Sequence, residues 1–195
     1  MKSLFVTLLT VGMAISLRAD EGMWLVNDFP KEAVRKVRGF AVTDAFLAHL
    51  QHSAVRFNNG GSGSFVSPNG LMFTNHHVGR DCIQKVSSAE HDYIANGFYA
   101  PRQEDEKSCP DLEVNILLSI ENVTVRVKEA EKPGMDSASQ GQARREMMAR
   151  IEKECATASG NRCDVVTLYS GGRYDLYRYR KYTDVRLVFA PEESI

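Results

Sequence analysis

Two adjacent histidines, His76 and His77, are the residues best placed for catalysis in this chain of 195 residues. They follow Thr74-Asn75 at the end of a short apolar run. A histidine side chain has a pKa near neutrality, so it can accept a proton from a hydroxyl group and later return it to a leaving amine. The pair is therefore the first candidate for a general base in acyl transfer.

A β-hairpin is predicted to carry the histidines. Residues 64–66 and 71–74 are short apolar runs, and residues 67–70 between them have the composition of a turn. A hairpin is a rigid platform for a side chain at the end of its strand. Because side chains alternate across a strand, His76 and His77 are expected to point to opposite faces if the strand continues through them. Only one of them would then face a given site.

The composition excludes several classes of protein. The chain has 24 Lys and Arg against 25 Asp and Glu, so it offers no basic surface for nucleic acid or anionic membranes. With 43% hydrophobic residues, it is expected to fold and not to be disordered. No nucleic-acid partner is expected.

Residues 1–19 predict a secretory signal peptide. Lys2 precedes an apolar stretch over residues 4–17, which is short for a membrane span, and Ala19 suits the cleavage site. Cleavage after Ala19 would leave a periplasmic or secreted protein without stable membrane insertion. An N-terminal anchor helix that stays attached is the alternative.

Four cysteines, with no Cys-x-x-Cys pair, argue against a zinc ribbon or a thioredoxin-like site. Export would permit disulfides, and the two pairs that close locally are Cys82 with Cys109 and Cys155 with Cys163. Three connectivities are possible, and four buried thiols are a further alternative.

The remaining pattern predicts a mainly β protein with helices, of the α+β class. Helices are expected over residues 43–55 and 137–156, with mixed helical character over 81–95. Strands are expected in the two halves of 114–127, over 165–169, from Arg173 onward, and over 185–191.

The histidine segment resembles that of the chymotrypsin-like serine peptidases, on the residues Gly63-Ser64-Phe65-Val66, the turn and Thr74-Asn75-His76-His77. A fuller set is similar to the N-terminal part of the bacterial periplasmic dipeptidyl-peptidases 7 and 11. That set adds residues 20–24, 82–84, 96–99 and 177–191.

This resemblance implies part of a chymotrypsin-like double β-barrel and the beginning of a helical domain, incomplete in this chain. Residues 20–195 would be the N-terminal part of the peptidase domain, with helical insertions near 82–95 and 137–157. It also implies a Ser-His-Asp mechanism without metal or cofactor, acting on peptides with a free N-terminus and releasing dipeptides. His77 becomes the general base, because Val78 stands where trypsin-like enzymes have cysteine. A homodimer is compatible with the resemblance, and the oligomeric state stays open.

The acid and the nucleophile of such a triad are not found in the sequence. No segment after His77 resembles the family's Gly-Asn-Ser-Gly turn, and Ser159 and Ser170 are interpreted as turn residues. Asp175 precedes the segment that the family's acid follows, so it is not assigned that role. The chain is therefore expected to be an N-terminal fragment that is inactive alone.

Three other hypotheses remain. A fragment of an exported trypsin-like endopeptidase would share the hairpin and the base. A metal site could use His76, His77 and His91 with Asp81, although the spacing matches no familiar ligand pattern. A binding module could use the alternating aromatic and basic residues 177–182. Purely structural roles for both histidines are the remaining alternative.

Overall fold

The computed structural model describes residues 23–193, which belong to two compact units, Met1–Val42 and Thr43–Ile195. The described part of the first unit contains a short turn of 3-10 helix, Val26–Asp28, and helix α1, Lys31–Arg38. Here the rings of Trp24 and Phe29 meet edge to face, with centroids 5.5 Å apart. The predicted signal peptide, residues 1–19, lies outside the described residues.

The second unit contains an antiparallel sheet of six strands in the order β3-β2-β1-β6-β8-β7. Strands β1, β2 and β3 form a meander, and β1 joins it to β6. Two small ribbons pair β4 with β10 and β5 with β9. The strands are β1 Ala54–Phe57, β2 Ser62–Phe65, β3 Met72–Thr74, β4 Phe98–Tyr99, β5 Lys107–Ser108, β6 Val114–Asn122, β7 Arg162–Leu168, β8 Arg173–Tyr182, β9 Arg186–Leu187 and β10 Phe189–Ala190.

Five α-helices accompany these strands in the described part of the second unit. They are α2 Asp44–Ser53, α3 His76–Val86, α4 Tyr93–Asn96, α5 Thr124–Lys128 and α6 Ser137–Ser159. Thr43 caps α2 by accepting a hydrogen bond from the Phe46 N–H, as its residue type predicts. The Asp136 carboxylate caps α6 in the same way. The α+β class, the hairpin and these two helices are confirmed.

Two hydrophobic clusters hold the second unit together. In the first, helices α5 and α6 pack on strands β7 and β8, through Val123, Val127, Ile151, Cys155, Cys163, Val165, Tyr174 and Leu176. In the second, α3 packs on the meander and its neighbours, through Val55, Phe57, Val78, Cys82, Cys109, Val114 and Val185. Disulfides join Cys155 to Cys163 in one cluster and Cys82 to Cys109 in the other.

The predicted second strand of residues 114–127 is wrong. Residues 124–128 form helix α5, in which Val127 is buried while Val125 is 68% exposed, and the N-cap residue Val123 is also buried. Val123 and Val127 are four residues apart, and residues at this distance share a face both in a strand and in a helix. Their spacing alone therefore does not distinguish strand from helix. The Asn122 side-chain oxygen accepts a hydrogen bond from the Thr124 N–H and so favours the turn into the helix.

Two further boundaries differ from expectation. Helix α2 ends at Ser53, and Val55 is instead buried in strand β1. The region 185–191 forms the two short strands β9 and β10 in separate ribbons, not one continuous strand. None of the helices within residues 23–193 combines the length and apolar character needed to cross a membrane.

Candidate active site

The two histidines open helix α3 and do not continue the hairpin strand. Strand β3 ends at Thr74, Asn75 takes the extended conformation of a helix N-cap, and His76 is the first helical residue. The expected alternation of His76 and His77 across a strand is therefore wrong. Successive helical residues project about 100° apart, since a turn takes about 3.6 residues.

The helix gives the two imidazoles different surroundings. His77 is exposed, whereas His76 is half-buried. Within residues 23–193, the Nε2 atom of His76 is buried and has no hydrogen-bond partner. Of the two histidines, His77 is thus the one that a substrate or a second catalytic group can reach from solvent.

The helix that carries His77 is anchored along its inner face. Val78, Cys82 and Val86 lie four residues apart, so they form one stripe that packs into the second hydrophobic cluster. The disulfide from Cys82 to Cys109, with Cα atoms 5.0 Å apart, ties the same face to the segment before β6. The helix is therefore fixed one turn beyond the histidines.

A loop before strand β2 lies against the first turn of α3. The Asn59 side chain donates a hydrogen bond from Nδ2 to the Val78 carbonyl, at 2.9 Å. Gly61 lies so close to Val78 that a Cβ atom there would be 2.4 Å from Val78 Cγ1. Directly after Gly61, at the start of β2, the Ser62 carbonyl accepts a hydrogen bond from the Thr74 hydroxyl at 2.7 Å. The backbone on both sides of the histidines is thus held by residues of the loop and the hairpin.

Ion pairs flank the rest of α3. Arg80 pairs with Glu193 at 3.1 Å. Lys85 pairs with Asp81 at 2.8 Å and with Asp111 at 3.4 Å, and the hydrogen bond that Lys85 donates to Asp81 is the main cause that raises the pKa of Lys85. All these groups are largely exposed, so they contribute little to stability. Arg80, Asp81 and Lys85 lie on the helix after the histidines, and Asp111 and Glu193 pair with it from other segments.

Asp175, Ser159 and Ser170, which were not assigned as acid or nucleophile, have local structural roles. Asp175 is fully buried in β8, where its Oδ1 accepts a hydrogen bond from Arg173 Nε at 2.8 Å. Ser159 ends α6, and its hydroxyl donates to the Cys155 carbonyl. Ser170 lies in a turn with a left-handed φ of 53°. These residues belong to strand β8, to the end of α6 and to the turn before β8, and His77 belongs to α3.

The structure also shows where the residues of the metal-site and binding-module hypotheses lie. Within residues 23–193, no group of three or more His, Cys, Asp or Glu side chains could hold a metal ion. His91 stacks on Tyr93, with ring centroids 6.0 Å apart. Residues 177–182 lie in β8, where all are beside β6 and residues 177–179 also pair with β7. Tyr179 is buried, with the Arg56 guanidinium over its ring. They do not form a free row of exposed aromatic rings.

The asparagine and glycine contacts with α3 were not anticipated from the sequence. Residues 58–61 read Asn-Asn-Gly-Gly, which indicates a loop and does not say what the amide side chains contact. The helical spacing of Val78, Cys82 and Val86, preceded by Asn75 as a cap, was the signal that could have placed the histidines on a helix.

Comparisons with known proteins identify related peptidases. Residues 19–195 match the model of the Peptidase S46 family. The chain is 33% identical to dipeptidyl-peptidase 7 of Porphyromonas endodontalis over 96% of its own length and 24% of the relative's. It is 35% identical to the Asp/Glu-specific dipeptidyl-peptidase of Porphyromonas gingivalis over 91% of its length and 26% of the relative's. The chain therefore spans about a quarter of the length of these relatives.

Solved structures agree with this relationship. DPP11 of Porphyromonas endodontalis in complex with the dipeptide Arg-Asp matches with a TM-score of 0.76 and 35% identity, over 91% of this chain and 27% of that one. The same protein in complex with the dipeptide Arg-Glu matches with a TM-score of 0.72 and 34% identity. The fold of the chain is thus that of the corresponding part of these enzymes.

Proposed function

The chain belongs to the peptidase S46 family, and on that premise we propose that it carries the general base of a serine-type dipeptidyl-peptidase. The observation that supports this role is the exposed His77 at the start of a helix anchored by packing and a disulfide. An imidazole in this position can take the proton of a serine hydroxyl and return it to the leaving amine. The half-buried His76 is its structural neighbour.

The acid and the serine of the proposed triad would come from a part of the enzyme other than these 195 residues. The three groups of a triad act as a unit, and removing any one leaves only the residual catalysis of binding and oxyanion contacts. The isolated chain is therefore proposed to be inactive, with no metal or other cofactor needed in the complete enzyme.

The proposed substrates are peptides with a free N-terminus, cleaved two residues at a time. Relatives named dipeptidyl-peptidase 7 and relatives named Asp/Glu-specific dipeptidyl-peptidase match at 33% and 35% identity. Since one name specifies Asp and Glu and the other does not, a substrate panel must carry acidic as well as non-acidic residues at the second position. We place the enzyme in the periplasm or outside the cell, an assignment that the predicted signal peptide and the two disulfides support.

The test uses the product of the complete reading frame that contains this chain. Fluorogenic dipeptidyl substrates and longer peptides, each with a free or an acetylated N-terminus, are incubated with the enzyme, and the products are read by mass spectrometry. The proposal expects stepwise release of dipeptides that acetylation blocks. Internal cleavage that is indifferent to acetylation would instead support the trypsin-like endopeptidase.

A further inference from the structure

The loop over residues 58–61 joins strand β1 to β2 and contacts the first turn of α3 through one side chain. Asn59 Nδ2 donates to the carbonyl of Val78, the residue after His77, at 2.9 Å. The Asn59 Oδ1 atom in turn accepts a hydrogen bond from the Gly61 N–H at 3.4 Å. From this geometry we propose that Asn59 is a positioning residue for His77, an inference that rests on the proposed function.

The first turn of α3 begins without a side-chain cap, within the described residues. Among residues 23–193, the Asn75 side chain makes no capping hydrogen bond, and the Asn75 carbonyl accepts from the N–H groups of Val78 and Gly79, at 3.0 and 3.4 Å. A helix start without a side-chain cap is less stable than a capped one. The bond from Asn59 crosses to this turn from a different segment, and it restrains the direction in which the turn leaves the strand.

Partial burial strengthens this restraint. The hydrogen bond from Asn59 to Val78 is partly buried, so water competes with it less than at the surface. Val78 itself is only 5% exposed and packs into the second hydrophobic cluster. Since His77 and Val78 share a peptide bond, fixing the carbonyl and the side chain of Val78 limits how far the His77 Cα atom can move. Asn59 acts on the imidazole only through this backbone.

The neighbouring residue provides a matched control. Asn58 is also an amide in the same loop, but it holds a different segment. Its Nδ2 donates to the Asp111 carbonyl at 2.8 Å, and its Oδ1 accepts from the Glu113 N–H at 3.1 Å. Losing Asn58 therefore weakens the protein at the loop before β6 without releasing the first turn of α3.

Kinetics in the complete reading-frame product test the inference. Asn59→Asp keeps the shape of the side chain but replaces the donor by an oxygen facing the Val78 carbonyl, so the contact becomes repulsive. A catalytic group displaced by about 1 Å can cost about 100-fold in rate. We expect kcat to fall by about 10- to 100-fold in Asn59→Asp and Asn59→Ala, with KM changed less than about twofold. Asn58→Ala should keep kcat within about threefold of wild type.

Hydrogen exchange in the complete reading-frame product supplies a readout that does not depend on activity. The Val78 and Gly79 amides should exchange at least about tenfold faster in Asn59→Asp than in Asn58→Ala, because only the first variant releases their turn. Equal losses of kcat in the two variants, or unchanged exchange in Asn59→Asp, would overturn the positioning role. If wild type releases no dipeptide, the proposed function fails, and so does the catalytic part of this inference. If wild type is active and His77→Ala is not, a fully active Asn59→Asp refutes the inference alone.

Discussion

Replacing Gly61 by alanine should destabilise the chain through a steric clash with the histidine helix. A Cβ atom at position 61 would lie 2.4 Å and 2.5 Å from the two Val78 methyl carbons and 3.0 Å from Val78 Cβ. Carbon atoms pack best at about 3.5–4.0 Å, so a gap of about 1 Å must open. Rotation of Val78 about χ1 always leaves one methyl group on that side. Overpacking of this kind costs about 1–3 kcal/mol.

A second glycine and a double variant separate this clash from other effects. Gly79 lies in α3, and among the described residues nothing beyond its chain neighbours and the nearby backbone of the helix lies within 4 Å of an added Cβ. Gly79→Ala should therefore stabilise the helix by up to about 1 kcal/mol. Val78→Ala removes both clashing methyl groups and creates a cavity of its own. In that background, Gly61→Ala should cost at least about 1 kcal/mol less than in wild type, since the two residues are in contact.

Urea unfolding followed by far-ultraviolet circular dichroism measures these free energies, because the midpoint reports stability when the slope is unchanged. The expected order of midpoints is Gly79→Ala, wild type, then Gly61→Ala. A Gly61→Ala variant as stable as wild type would refute the close packing of the loop on α3. A cost that is the same with and without the Val78 methyl groups would show that the clash is not its cause.

Three further outcomes are expected from the same unfolding assay. Replacing Cys82 and Cys109 by serine removes a disulfide between residues 27 positions apart and should lower the free energy of unfolding by about 3.5 kcal/mol. A loss below about 1 kcal/mol would count against a stabilising role of this disulfide. Arg173→Met leaves the fully buried Asp175 carboxylate without its ion pair and should lower the free energy of unfolding by about 3–5 kcal/mol. A loss below about 1 kcal/mol, as for an exposed ion pair, would contradict this. Hydrogen bonds from the first turn of α6 lower the pKa of Asp136 from 3.8, so its contribution to stability is present above pH 3.8 and is lost as the pH falls through the lowered value. The stability difference between wild type and Asp136→Ala should therefore shrink as the pH falls below 3.8, and a constant difference would contradict a charged cap.

The elements with a clear local signal were predictable from the sequence. The turn residues between two apolar runs predicted the hairpin, and Thr43 followed by apolar residues at helical spacing predicted α2. In both places the local preference agrees with the face that the fold buries, so tertiary contacts do not override it.

The histidine helix was missed for a physical reason. An apolar strand that runs into Asn75 looks the same whether it continues or turns into a helix. Strand β3 is only three residues long, and packing of Val78 and Cys82 on the meander decides where it ends. Sequence reasoning selected the two histidines as the site, but the alternation argument that separated them does not apply. Their different burial, which the structure provides, now separates them.

The contacts from residues 58–61 could not be predicted, because they join segments about 20 positions apart. A Gly-rich loop has many conformations in isolation. The bond from Asn59 and the approach of Gly61 to Val78 depend on the meander, which brings the loop beside the start of α3. Such contacts follow from the topology and not from a local pattern.

Replacing each of the two histidines by alanine in turn tests most directly the claim that His77 is the general base. In the complete reading-frame product, His77→Ala should lower the rate of dipeptide release by at least about 1,000-fold, as expected for a triad base. His76→Ala should retain activity within about tenfold, since the Nε2 atom of His76 is buried and has no hydrogen-bond partner within residues 23–193. Retained activity in His77→Ala, with loss in His76→Ala, would contradict the assignment of His77 as the general base.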